Sequence, residues 1–173
     1  MRVEASTFAV SREQKERFTR PTQAPRVVPH SKRNTMRNNV NLGMANHNPL
    51  NIRYHAANHW LGLDAKCPQV KGFCRFHADV YGYRAAIKLV VNYMQRYGLT
   101  TPRAIISRWA PPSENNTALY VAAVCGRARL QPDAPINAQG AEVAALVSAM
   151  ARQETGMHIT PEALQELRQR FGV

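Results

Sequence analysis

The sequence predicts a mostly α (α+β) domain with a small irregular β or loop element, preceded by a flexible basic N-terminal tail. Three observations lead there. Ala86, Leu89, Val90, Tyr93 and Tyr97 recur at three- and four-residue intervals, which puts them on one face of a helix. The apolar stretch Val143 to Met150 reads as a second, more deeply buried helix that closes at Glu154-Thr155-Gly156. Between Asn46 and Phe76, turn formers alternate with β-prone aromatics, a pattern of loops with one or two short strands.

Each element follows from local chemistry. Residues 1–38 hold nine Lys or Arg against three Glu, with Pro21, Pro25 and Pro29 and little periodic hydrophobicity. Such a stretch resists collapse, so it is read as a disordered tail and residues 39–173 as the folded domain, with order beginning near Asn46. The first helix is expected from about Gly82 to Tyr97, stopped by Gly98. Pro102, just after Thr101, opens a second that ends near Trp109, because Pro111 and Pro112 forbid continuation. Asn115, Asn116 and Thr117 offer capping oxygens to a third, ending near Gly126. Asn137 is expected to cap the fourth, which ends at Glu154, and Thr160-Pro161 to open a last one running to about Arg170.

Composition limits the partners. A net charge of +12 across 173 residues suits polyanions: nucleic acid, anionic lipid or the bacterial cell wall. No window approaches the ~20 apolar residues of a membrane span, and Met1 to Ser6 lacks the apolar core of a secretory signal. Cys67, Cys74 and Cys125 have no metal-type spacing; either Cys67 and Cys74 form a small-loop disulfide or all three are reduced. His55 and His59 lie four apart, but no helical pattern or matching carboxylate supports a metal, and no cofactor is expected. Nucleophile elbows and phosphate-binding glycine loops are absent from the sequence.

Two segments invite a functional reading. In Trp109 to Tyr120, Glu114 and Asn115 either cap the following helix or, with Tyr120, line a cleft that binds sugar hydroxyls or orients water. In Asn48 to Arg53, the amides either satisfy backbone groups of a proline turn or form a wall that meets acetamido groups of amino sugars.

About half the chain resembles a family of phage virion proteins described only as structural proteins. The resemblance rests on Asn-Pro-Leu-Asn-Ile-Arg at Asn48 to Arg53, Trp60 with Gly62, Phe73 with Phe76, Tyr81 to Ala86, and Trp-Ala-Pro-Pro-Ser-Glu-Asn-Asn-Thr at Trp109 to Thr117. A second, more distant resemblance is to flagellar-type glucosaminidases and lytic transglycosylases of the lysozyme superfamily. Those enzymes carry a catalytic glutamate in Glu-Ser-Gly or Glu-Thr-Gly at a helix end. An Asn-Leu-Phe-Gly-Ile segment, a Trp-x-Gly and a long helix follow it. Here Asn48 to Ile52, Trp60, Gly62 and the Gly82 helix keep that order, but no suitable glutamate precedes Asn48. Glu154-Thr155-Gly156 supplies the triplet from the other end of the chain, as a circular permutation would.

This second resemblance implies a lysozyme-like domain that cleaves the glycan strand of peptidoglycan, by hydrolysis or by anhydro-forming transglycosylation. Glu154 would be the general acid, kept protonated near neutral pH by its apolar helix, and Glu114 the assisting carboxylate. Asn51, Tyr54, Trp109, Asn115 and Tyr120 are the candidate substrate-binding residues. Virion components or an immunity protein are the further partners, with the chain virion-associated or delivered to the periplasm by a phage or a secretion system. The competing expectation is a non-catalytic virion structural or glycan-binding protein on the same scaffold. A nucleic-acid module rests on charge alone, and much of that charge lies in the tail.

Overall fold

The computed structural model describes residues 41–113 and 115–173. The expected basic tail and Glu114 therefore lie outside the described residues. Six helices and one two-stranded sheet make up the described part: α1 (Leu42–Ala45), β1 (Gln69–Val70), β2 (Phe73–Cys74), α2 (Asp79–Tyr97), α3 (Pro102–Trp109), α4 (Thr117–Ala128), α5 (Ala141–Glu154) and α6 (Pro161–Phe171). The mostly helical class is as the periodicity indicates.

Helix α5 is the central element. Val143, Ala144, Leu146, Val147, Ala149, Met150 and Ala151 are all buried, so apolar side chains cover most of its circumference, as a core helix requires. It packs against α4, α6 and α2. Around it lies one apolar core that includes Leu50, Ile52, Phe76, Ile87, Ile105, Ile106, Trp109 and Leu164.

The ends of the helices are set by side-chain caps. Thr101, Asn116 and Thr160 accept from the backbone N–H of Ala104, Leu119 and Ala163. Gly98 and Gly172 close α2 and α6 in the left-handed region.

Three boundaries differ from those expected. Helix α2 starts at Asp79, whose charge suits the helix N-terminus and bonds His47 Nδ1 at 2.7 Å. Gly82 is no start signal: a Cβ there would strike the His47 carbonyl and the Pro49 ring, so the glycine admits a neighbouring loop. Helix α5 starts at Ala141 after Gly140, whereas the Asn137 side chain accepts from Gln139 N at 2.9 Å and so caps a turn instead. Finally, α1 precedes Asn46, with Asn41 Oδ1 accepting from the N–H groups of Gly43 and Met44.

The β element is small. Strands β1 and β2 pair antiparallel, Gln69 opposite Cys74 and Val70 opposite Phe73, around a two-residue turn at Lys71 and Gly72, both with positive φ. Isolated bridges join Arg53 to Phe73 and Leu63 to Phe76. These bridges tie the loop after Asn48 to the hairpin.

Candidate functional site

Three segments distant in sequence meet at the C-terminal end of α5. Glu154 is its last residue, and both carboxyl oxygens are engaged. The Tyr120 hydroxyl, from α4, donates to Oε1 at 2.8 Å. The Asn51 amide, from the loop before the hairpin, donates to Oε2 at 3.3 Å. The structure thus brings together Glu154, Asn51 and Tyr120 and leaves the carboxyl half-buried.

Each partner is fixed by its own surroundings. Tyr120 is 6% exposed, so its ring is held in the core and only the hydroxyl reaches the carboxyl. Asn51 has φ of 50°, a left-handed conformation that asparagine tolerates better than most residues. Its neighbour Asn48 holds the loop: Oδ1 accepts from Ile52 N at 2.8 Å, and Nδ2 donates to the carbonyls of Ile52 and Cys74, both at 2.9 Å. The two amides of this loop therefore divide the two readings. Asn48 satisfies backbone, and Asn51 addresses the acid.

The turn after Glu154 is clamped from two sides. Thr155 Oγ1 donates to the Pro49 carbonyl at 3.0 Å and to the Ala151 carbonyl at 3.1 Å. Asn41 Nδ2 donates to the Thr155 carbonyl at 2.6 Å, which draws α1 onto the same turn. Gly43 makes that approach possible, since a Cβ there would meet the Thr155 methyl and Asn51 Oδ1. Gly156 then reverses the chain with φ of 75°. Asn41, Gly43 and the clamping role of Thr155 were not legible in the sequence, because the groups that meet there lie up to 114 residues apart.

Electrostatics follow from this enclosure. Burial pushes the Glu154 carboxyl up to about 7, against the hydrogen bonds from Tyr120 and Asn51, which favour the charged form. Burial first, then the neighbouring Glu154 charge, raises the Tyr120 hydroxyl well above its usual range, so it remains a donor. The site is a carboxylic acid that holds or releases a proton near neutrality.

The remaining candidates do not bond the acid among the described residues. Trp109 is 1% exposed and packs against Tyr93 with ring centroids 6.2 Å apart; it is a core residue and does not line a surface. Tyr54 is half-buried against the core, its backbone N–H donating to Gly72 at 2.9 Å. Asn115 is half-buried in the segment before α4. Neither Tyr54 nor Asn115 is hydrogen-bonded to Glu154 among the described residues, and Glu114 lies outside them.

Among the described residues no cluster of three or more His, Cys, Asp or Glu is placed to hold a metal. Cys67, Cys74 and Cys125 are free thiols, so the alternative of a Cys67–Cys74 bridge is not realised. No described helix is long and apolar enough to cross a membrane.

No family model matches the chain. Over 144 residues it is 31% identical to Protein P5 of Pseudoalteromonas phage PM2, an overlap of 79% of this chain and 84% of that protein. At that identity and coverage, the chain belongs to the family of this phage protein.

Proposed function

We propose that this protein cleaves the glycan strand of peptidoglycan, with Glu154 as general acid. The observation that carries the reading is the Glu154 carboxyl at the end of a buried apolar helix, raised to about 7 and oriented by Tyr120 and Asn51. A glycosidic oxygen needs a proton donor that is still loaded near neutral pH, and this environment supplies one. Oε2 receives the longer hydrogen bond, from Asn51, and is the oxygen better placed to carry the proton to the leaving group.

The order of elements supports a permuted lysozyme-like core. The 3.0 Å bond from Thr155 to Pro49 sets the end of the acid's helix directly against the Asn48–Arg53 loop. In the unpermuted enzymes that loop follows the catalytic triplet in sequence. Glu114 is kept as the assisting carboxylate in this proposal. If it does not assist, the substrate's own acetamido group takes that part by closing on the anomeric carbon. Attack there by the 6-hydroxyl, which returns its proton to Glu154, then reopens that ring and leaves an anhydro-sugar, and attack by water leaves the hydrolysed one.

Kinship with a phage protein favours, taken alone, the second reading: a non-catalytic component of the virion that binds glycan or other particle proteins. The two readings separate in one experiment. Purified peptidoglycan is digested with wild type and with Glu154→Gln, and soluble products are read by mass spectrometry. Muropeptides from wild type alone support catalysis by Glu154, and their mass distinguishes hydrolysis from transglycosylation. Equal release by both removes Glu154 from the chemistry. No release by either, from folded protein, leaves the structural reading.

A further inference from the structure

We propose that the groove between the end of α4, the outer face of α5 and the start of α6 is a docking site for an acidic, partly apolar segment of another protein. The groove encloses about 630 Å³. It lies away from the acid. Ala145, Ser148, Ala149 and Arg152 line it at helical spacing along one face of α5. Glu154, two residues beyond Arg152, is turned about 200° around the helix axis from it. An occupant would leave the carboxyl uncovered.

Charge selects the occupant. Arg127, Arg129 and Arg152 are exposed along the groove with His158, and Glu162 is the single carboxylate among the lining residues. Arg127 donates to the neutral Gln153 side chain at 2.6 Å, and no carboxylate pairs with any of the three arginines among the described residues. Three forked guanidiniums without carboxylate partners form a receptor for carboxylates. This disfavours a second copy of a chain with net charge +12, and equally the chain's own first 38 residues, where cations outnumber acids nine to three.

Backbone conformation adds an independent observation. Arg129 ends α4 with φ of 55°, the left-handed position that glycine occupies at low cost. An arginine there accepts local strain, offset in part by its charge at the helix C-terminus, and its side chain lines the groove. The floor argues for peptide over phosphodiester. Ala128, Ala149, Ile159 and Pro161 offer apolar contact that a sugar-phosphate backbone does not use, whereas apolar side chains alternating with carboxylates do.

The test is fluorescence anisotropy at physiological salt, using a labelled decapeptide that alternates glutamate with leucine and, in parallel, a labelled oligothymidylate. Wild type binds the peptide. The double variant Arg127→Glu with Arg152→Glu weakens it about tenfold or more, while Lys66→Glu with Lys88→Glu, an equal charge change at exposed positions outside the groove, stays within about twofold. Arg129→Gly also weakens binding without lowering Tm, which keeps the test decisive if the double variant does not fold. Equal losses in the two double variants would mean diffuse attraction to a basic protein and overturn the proposal. So would a wild type that ignores the peptide, or groove variants that lose the oligothymidylate and keep the peptide.

Discussion

The Thr155 hydroxyl bonds the Pro49 carbonyl at 3.0 Å across 106 residues of sequence, next to the half-buried Glu154 carboxyl, which is raised to about 7. Thr155 also bonds back to Ala151, so the last turn of α5 is tied at Pro49 to the loop that carries Asn51. Glu154 and the amide that addresses it are thereby brought side by side, which is what preorganisation of an acid requires.

Replacing Thr155 by Val keeps the volume and removes the hydroxyl. The buried Pro49 carbonyl then loses its donor, at a cost of about 1–2 kcal/mol, or several degrees of Tm in a domain of this size. Thr155→Ser retains the donor and recovers most of the loss. Thermal melts of the three proteins check this; a Thr155→Val protein as stable as wild type would mean that the clamp contributes nothing.

The Glu154 carboxyl makes stability depend on pH with a definite sign. Its folded value is about 7, against an ordinary 4.5. Between those values the folded protein keeps a proton that the unfolded chain has released, so stability falls as pH rises through that window. The contribution is fully present below about 4.5 and lost above about 7. Glu154→Gln carries no such titration. It melts higher than wild type near pH 8, by an amount corresponding to about 1–3 kcal/mol, and shows no advantage near pH 4. A pH-independent difference between the two proteins would show that the carboxyl is not destabilised by burial.

Tyr120→Phe separates the two influences on that carboxyl. The Tyr120 hydrogen bond favours the charged form, while burial opposes it. Removing the hydroxyl while keeping the ring leaves burial less opposed, so the Glu154 titration moves upward. Carboxyl carbon shifts of glutamate-labelled protein, followed across pH in wild type and variant, report this directly. Any glycan cleavage would keep its alkaline limb but displace it to higher pH in the variant. A downward shift would mean that water enters the site and replaces the tyrosine.

How much of this was legible depended on the distance over which each signal acts. Helices α2, α3, α4 and α6 were readable because periodicity, Pro102, Pro161, Gly98 and the capping residues act within a few positions. Asn137 misled because one asparagine oxygen caps a helix or an Asx turn equally well, and the turn won at Gln139. Trp109 misled because its amphipathic ring suits a cleft or a core alike, and Tyr93 claimed it. Helix α1 has four residues and no period, and its anchor to Thr155 lies 114 positions away. Of the candidate site, the acid and its two partners were visible as residue types, but the clamp that aligns them was not.

Gly43 gives the sharpest steric test of that alignment. In Gly43→Ala the new methyl would meet the Thr155 methyl, Asn51 Oδ1 at 2.7 Å and the Asn48 carbonyl at 2.9 Å, all belonging to the clamp or the loop. None is the free end of a flexible chain, so either α1 lifts away or the Asn51 loop shifts, at a cost of about 1–3 kcal/mol. The first outcome breaks the Asn41–Thr155 bond and leaves Glu154 and Asn51 in register; the second moves Asn51 from the carboxyl. The Glu154 titration distinguishes them, because losing the Asn51 donor removes a group that favours the charged form and raises the titration point. The expected result is a lowered Tm with a raised Glu154 titration, since the Thr155 clamp fixes the turn more firmly than the 3.3 Å contact fixes the amide. An unchanged titration with a lowered Tm would assign the displacement to α1 alone.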